Sequence, residues 1–246
     1  MSARPRAAPG EATRLALAAL ALVAACAAPP PPAEAPAPYA LVYAEDFAGR
    51  GVLEGFTFSD PAAWSWTDEG GVPSLELRGE SSYRPPFRSP ASLALVPGIL
   101  VRDFDLEVDL LQTGRDYGHR DLCLFFGFQS ASRFYYVHLA TTPDPNAHNI
   151  FLVDGAPRRN LAEVAAQGVD WGRDQWHRVR VERRVGEGTI RVFWDRGEEP
   201  ILTATDTMLD WGRLGFGSFD DTGRIAHIRV HAPAARVSSG DRDPFR

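Results

Sequence analysis

From about residue 40 onward, hydrophobic positions recur every second residue in short runs bounded by Gly, Pro and Asp, which predicts a succession of β-strands. Strands are expected near 40–47, 63–67, 74–79, 92–96, 103–112, 121–129, 133–140, 149–153, 175–184, 188–195, 200–204, 213–219 and 224–231, with one short helix at 161–167. Between 175 and 206, Gly-Glu-Gly at 186–188 and Asp-Arg-Gly at 195–197 separate three strands, which predicts a β-meander. There Val179 and Val181 alternate with Arg178, Arg180 and Glu182, so one side is packed and the other wet. The sharpest alternation lies in 119–139, HRDLCLFFGFQSASRFYYVHL. A period of two puts Leu122, Leu124, Phe126 and Phe128 on one face and His119, Asp121, Cys123 and Gln129 on the other. In the next strand Tyr135, Val137 and Leu139 oppose Phe134, Tyr136 and His138. If the two strands pair, Asp121, Gln129, Tyr136 and His138 share one surface.

The N-terminus follows a different rule. Arg4, Arg6 and Arg14 precede a Leu/Ala run at 15–23 that ends in Val-Ala-Ala-Cys, the pattern of a secretory signal over 1–25. The run is short of the roughly 20 apolar residues that span a bilayer. Its ending resembles the bacterial lipoprotein lipobox, which implies that Cys26 is acylated and anchors the chain to a membrane. Ala27, standing where an aspartate would retain a Gram-negative lipoprotein at the inner membrane, implies the outer membrane. The Pro/Ala stretch at 26–38 reads as an extended tether. One domain at 39–233 then fits the remaining length, followed by an unstructured tail at 234–246. Cys123 is the only thiol besides Cys26, so no disulfide is expected within an extracytoplasmic domain and the fold must rest on its core.

All 26 basic residues are arginines, they are scattered among 32 acidic ones, and the net charge is −6. No basic block with interleaved aromatics exists, which argues against nucleic acid as a partner. A mildly acidic surface with aromatic side chains suits neutral ligands, sugars first among them.

The motif order resembles a known group. Glu-Asp-Phe at 45–47, FDLEVDLL at 104–111, WHRVRVERR followed by GTIRVFWDRG across 176–197, and GRLGFGSFDDTGRIAHIRV at 212–230 are similar to the concanavalin A-like lectin/glucanase jelly rolls, including laminin-G-like and keto-disaccharide hydrolase-like domains. The resemblance covers the folded region. It implies an all-β, two-sheet antiparallel jelly-roll sandwich holding carbohydrate on its concave face or rim.

Two stretches carry candidate chemistry. Glu107-Val-Asp109-Leu-Leu-Gln112 resembles the Glu-x-Asp-x-x-Glu motif of laminarinase-type glycosidases, but Gln112 cannot serve as the acid/base such chemistry needs. The alternation of Asp105, Glu107 and Asp109 with Phe104, Leu106, Val108 and Leu110 is also that of any half-exposed strand. The stretch at 119–139 supplies imidazole and phenol groups suited to proton transfer. Its Tyr-x-His resembles that of jelly-roll polysaccharide lyases, which implies Asp121, Tyr136 and His138 as the catalytic set. His119, Arg120, Gln129, His148 and Asn149 are the expected ligand-binding set, with Asp144 in the same loop as the last two. A zinc site of His119, Asp121, His138 and His148 has suitable donors but no spacing that fixes its geometry. A structural calcium ion suits Asp46, Asp220 and Asp221 better, because related jelly rolls bring such segments together; a plain Asp-capped turn at 220–223 is the competing reading. Trp176 is expected to plug the core, and any exposed Trp64, Trp66, Trp171 or Trp211 offers a face for stacking on a pyranose. The leading expectation is a lipid-anchored carbohydrate-binding domain. The alternatives are a glycoside hydrolase or polysaccharide lyase, and an envelope domain that contacts proteins.

Overall fold

A computed structural model describes residues 39–163, 167–238 and 243–245, all within one compact unit, Pro38–Arg246. The expected signal peptide, the Cys26 anchor and the tether lie outside the described residues. In chain order the strands are β1 (Ala40–Glu45), β2 (Thr57–Phe58), β3 (Trp64–Thr67), β4 (Ser74–Leu77), β5 (Ser92–Leu95) and β6 (Ile99–Val101). There follow β7 (Phe104–Gln112), β8 (Asp121–Ser130), β9 (Arg133–Ala140), β10 (Asn149–Asp154), β11 (Arg159–Asn160) and β12 (Trp176–Arg184). The last are β13 (Thr189–Trp194), β14 (Leu202–Thr205), β15 (Arg213–Ser218), β16 (Gly223–Ala232) and β17 (Ala235–Val237).

Two antiparallel sheets stack face to face. One runs β14-β13-β12-β7-β16-β4-β3 with β1 added to β16, and the other runs β11-β10-β9-β8-β15-β5-β2. The parity seen in sequence builds the layer between them: Leu122, Leu124, Phe126, Tyr135, Val137 and Leu139 meet Leu106, Val108, Leu110, Val179 and Val181 in one continuous core. The meander is present as β12-β13-β14, with the expected turns between strands.

Four short strands escaped the alternation rule, namely β2, β6, β11 and β17, because two or three residues are too few to show a period. The expected helix at 161–167 falls partly on undescribed residues, and Leu161–Glu163 are not helical. The tail, read as unstructured, contributes β17, which pairs with β6, and Phe245, which packs on Tyr83 and Phe128. Among the described residues no helix is long and apolar enough to cross a membrane.

The second sheet is also apolar on its outer face. Leu93, Leu95, Cys123, Phe125, Phe134, Tyr136, Phe151 and Val153 form a second buried cluster there, against which Tyr83, Phe87, Phe219 and Phe245 pack. An apolar outer face must be shielded from water. The segment carrying Tyr83 and Phe87, together with Phe245, roofs one part of it. The part left open is the candidate site.

A bulge decides which side chains reach that face. Gly127 has φ +55°, and the β8–β9 register shifts between Phe126 and Ser130. A Cβ on Gly212 would lie 2.1 Å from the Gly127 carbonyl carbon, so β15 can approach the bulge only without a side chain there. The extra residue reverses the parity. Phe128 joins Phe125 and Phe134 on the outer face rather than the inter-sheet core, and Gln129 is exposed, its amide donating to the Trp211 carbonyl at 3.1 Å.

Candidate functional site

Beyond the roofed part, the outer face opens into a cleft of about 490 Å³. Its floor is the β8–β9 pair, through Asp121 and His138, and its walls come from loops carrying Arg88, Tyr117, His119, Asp144, Arg158 and Asp220. Phe219, half-buried, presents its ring to the space at the end of β15.

Asp121 and His138 are held firmly. Both are buried, at 2 % and 4 % exposure. Asp121 Oδ2 meets His138 Nε2 directly, and Asp121 Oδ1 accepts from the Ser218 hydroxyl. His138 Nδ1 faces the Asn146 carbonyl at 3.2 Å. With a carbonyl on one ring nitrogen and a carboxylate on the other, both nitrogens donate, so the pair is bound as imidazolium and carboxylate. The serine hydroxyl faces the carboxylate rather than the imidazole. It therefore lacks the neighbouring base that activates a serine nucleophile.

Around this pair the acidic groups crowd. Asp221 Oδ2 accepts from the Tyr117 hydroxyl and from the Asp121 amide, both at 2.8 Å. Burial, opposed by those two hydrogen bonds and reinforced by repulsion from Asp121 and Asp220, pushes the Asp221 carboxyl up to about 6. Burial and the Asp121 charge push Asp220 upward as well. His148, wholly buried, is pulled down to about 4 by desolvation and by the charge of His138.

The shifts of Asp221 and His148 set a pH dependence with opposed signs. As pH falls below about 6 the folded state protonates Asp221 while the unfolded chain does not until about 3.9, so folding gains stability. The unfolded chain protonates His148 below about 6.5 while the folded state resists until about 4, so folding loses stability over the same window. Asp221→Asn removes the first contribution. The variant is expected to lose stability on acidification from about pH 6.5 to 4 more steeply than the parent, measured by urea unfolding at several pH values; parallel curves would refute the raised Asp221 carboxyl.

The structure sorts the sequence-predicted residues. His119, Asp121 and His138 meet at the cleft, His119 pairing with Asp144 at 2.9 Å. Tyr136 lies beneath it, fully buried, its hydroxyl taken by Arg158 at 2.6 Å and its phenol driven upward by burial. A phenol so placed cannot reach a ligand, so its expected catalytic role is not supported by its position. Arg120 points away from the cleft, its guanidinium bound to the Gly172 carbonyl and 3.5 Å from Asp116. Asn149 is structural, its Oδ1 accepting from the Ile150 and Ala162 amides. His148 accepts from the Ala140 amide at 3.4 Å and does not line the cleft. Gln129 is excluded by the bulge.

The calcium grouping is not assembled. Asp46 accepts from Arg229 Nη2 on both carboxylate oxygens, at 2.7 and 2.9 Å, beside the middle of β16, whereas Asp220 and Asp221 precede its first residue. Of the four residues weighed as a zinc set, only Asp121 and His138 bring ligand atoms together with those of a third candidate ligand, and that third is Cys123. Glu107 and Asp109 face outward, where Asp109 pairs with Arg178 and His227, while Gln112 is buried at the end of β7. The three positions of the glycosidase-like motif therefore do not share an exposed surface.

Arg158, Tyr117, Phe219 and Arg88 are cleft residues that sequence reasoning missed. Arg158 lies 4.4 Å from the Phe151 ring centroid and 5.2 Å from that of Phe219, and donates to the Asn146 carbonyl and amide oxygens. These residues sit in loops or at strand ends, where no period marks them.

The fold is the concanavalin A-like jelly roll, nearly all β and built of two antiparallel sheets. No family model matches the chain, and no curated protein matches its sequence. Among solved structures it is similar to a Bacillus subtilis protein of unknown function with a galectin-like fold, at TM-score 0.57 and 13 % identity, over 81 % of this chain and 98 % of that one. It is also similar to the carbohydrate-binding module CBM66 of Bacillus subtilis, at TM-score 0.52 and 16 % identity over 72 % and 96 %. A third likeness is to the winged bean acidic lectin complexed with methyl-α-D-galactose, at 0.52 and 12 % over 80 % and 98 %. At these identities the likeness is one of fold.

Proposed function

We propose that this protein is a carbohydrate-binding jelly-roll domain whose ligand occupies the cleft over β8 and β9. The observation that carries the reading is the cleft itself. Its 490 Å³ falls in the range of small-ligand sites, and hydrogen-bonding groups from separate loops converge there around the Phe219 ring. Asp220, Asp144, Arg88 and His119 offer donors and acceptors at the rim suited to hydroxyl groups, and a half-buried aromatic ring offers a face for an apolar pyranose surface. Two of the solved structures that share the fold are a carbohydrate-binding module and a lectin complexed with a galactoside.

Titration calorimetry against a panel of neutral and acidic oligosaccharides tests the proposal. Phe219→Ala and Asp220→Ala are each expected to weaken the best ligand about tenfold, a change of about 1.4 kcal/mol. Binding that neither variant alters, or no binding across the panel, would overturn it. Turnover of a bound oligosaccharide would favour the glycan-degrading reading instead.

The sequence before residue 39 supports an extracytoplasmic, lipid-anchored placement. Radiolabelled fatty acid fed to a bacterial host is expected to label the parent chain and not Cys26→Ala, with the variant leaving the membrane fraction.

A further inference from the structure

Carbohydrate binding does not explain the buried cysteine beside the pair that floors the cleft. Cys123 follows Asp121 by two residues on β8, so both point to the outer face, and His138 is the cross-strand partner of Cys123. One ligand atom from each lies within 4.8 Å of the other two, and the three residues are buried. We propose that Asp121, Cys123 and His138 form a binding site for a divalent transition-metal ion of the zinc class.

The donor set selects the metal. Thiolate and imidazole with one carboxylate suit zinc and its neighbours and not calcium, which takes oxygen ligands only. The supporting contacts are those that orient ligands. His138 Nδ1 is fixed by the Asn146 carbonyl, which leaves Nε2 as the ligating nitrogen, and the Ser218 hydroxyl fixes the Asp121 oxygen that faces away from His138. Cys123 Sγ stands 4.0 Å from Asp121 Oδ2. Tetrahedral donors at metal distances of 2.0–2.3 Å lie about 3.5 Å apart, so the sulfur closes on both partners while Nε2 and Oδ2 separate around the ion.

Charge is conserved. Without metal the cluster holds an imidazolium, a carboxylate and a neutral thiol. The ion displaces the imidazolium proton and the thiol proton, leaving M²⁺ with a carboxylate, a thiolate and a neutral imidazole. Both states are neutral overall, which limits the cost of burying the cluster. About two protons leave per ion bound, so affinity falls with falling pH. The fourth position opens toward the cleft that Asp121 and His138 line, which gives the site three protein ligands and an open position.

The test is titration of the chelator-treated, reduced full chain with Co²⁺. One equivalent is expected to bind, with visible bands of tetrahedral cobalt and a near-ultraviolet thiolate-to-cobalt absorption, both removed by added Zn²⁺. About two protons should appear in a weakly buffered indicator. The near-ultraviolet band is expected to persist in Cys26→Ser and to vanish in Cys123→Ser and Cys123→Ala. Absence of stoichiometric uptake, absence of the thiolate band in the parent chain, or its persistence in both Cys123 variants overturns the proposal, and the parent spectrum decides even if a variant fails to fold. No glycan enters the measurement, so its outcome is separate from that of the oligosaccharide titrations.

Discussion

Asp121→Ala is expected to lower folding stability by about 3–5 kcal/mol, because it leaves the His138 imidazolium buried without its carboxylate. The same change strands the Ser218 hydroxyl, which donates to Asp121, in a fully buried position. Losing a partner costs a buried donor more than the net worth of the bond it made. Urea unfolding provides the measurement. The double variant Asp121→Ala/His138→Leu removes both charges together and is expected to recover part of the loss, since an apolar replacement of a buried ion pair is often close to neutral. A single variant within about 0.5 kcal/mol of the parent would show that the pair is not ionised as described.

Arg183→Met is expected to cost about as much, about 3–5 kcal/mol, for a different reason. Arg183 is 1 % exposed and lies on the Val179 and Val181 side of β12, so its side chain enters the end of the sandwich. Its guanidinium donates to the Gly188 and Asp206 carbonyls at 2.7 and 2.8 Å, and to those of Thr189 and Leu209 at 3.3 Å. One side chain thus ties the β12–β13 turn to the loop after β14. Methionine fills a similar volume but leaves those carbonyls without a charged donor, and each unsatisfied buried group costs about 1–3 kcal/mol. The loss is read from unfolding midpoints. Protease cleavage near 206–209 under native conditions, appearing only in the variant, would localise the defect to the loop. An unchanged midpoint would mean that water replaces the guanidinium at no cost.

Arg183 also shows where parity stops being informative. Position 183 falls on the inward parity of Val179 and Val181, whereas an arginine by its chemistry belongs outside. The structure resolves the conflict because the sandwich ends there, where four carbonyls converge on the guanidinium. Gln112 is the counterpart on β7: it falls on the Phe104 to Leu110 parity and is buried with them, although its motif neighbours Glu107 and Asp109 face out. On β8 the rule held as far as Phe126. One glycine in the left-handed region then moved Phe128 to the opposite face and Gln129 off the surface it was expected to share with His138.

The sequence by itself determined the strand succession and the sharing of one face by Asp121 and His138, while the two-sheet class came from the resemblance its motifs carry. A two-residue period is a local property of the extended backbone, and burial of one face imposes it directly on the choice of residues. Only the tertiary structure decided that Tyr136 lies under Arg158, that Asp46 stands apart from Asp220 and Asp221, and that Arg88, Tyr117, Arg158 and Phe219 surround the floor pair. Those relations join segments far apart in the chain through loops whose paths follow from packing, and no periodic pattern along the sequence records where a loop will lie.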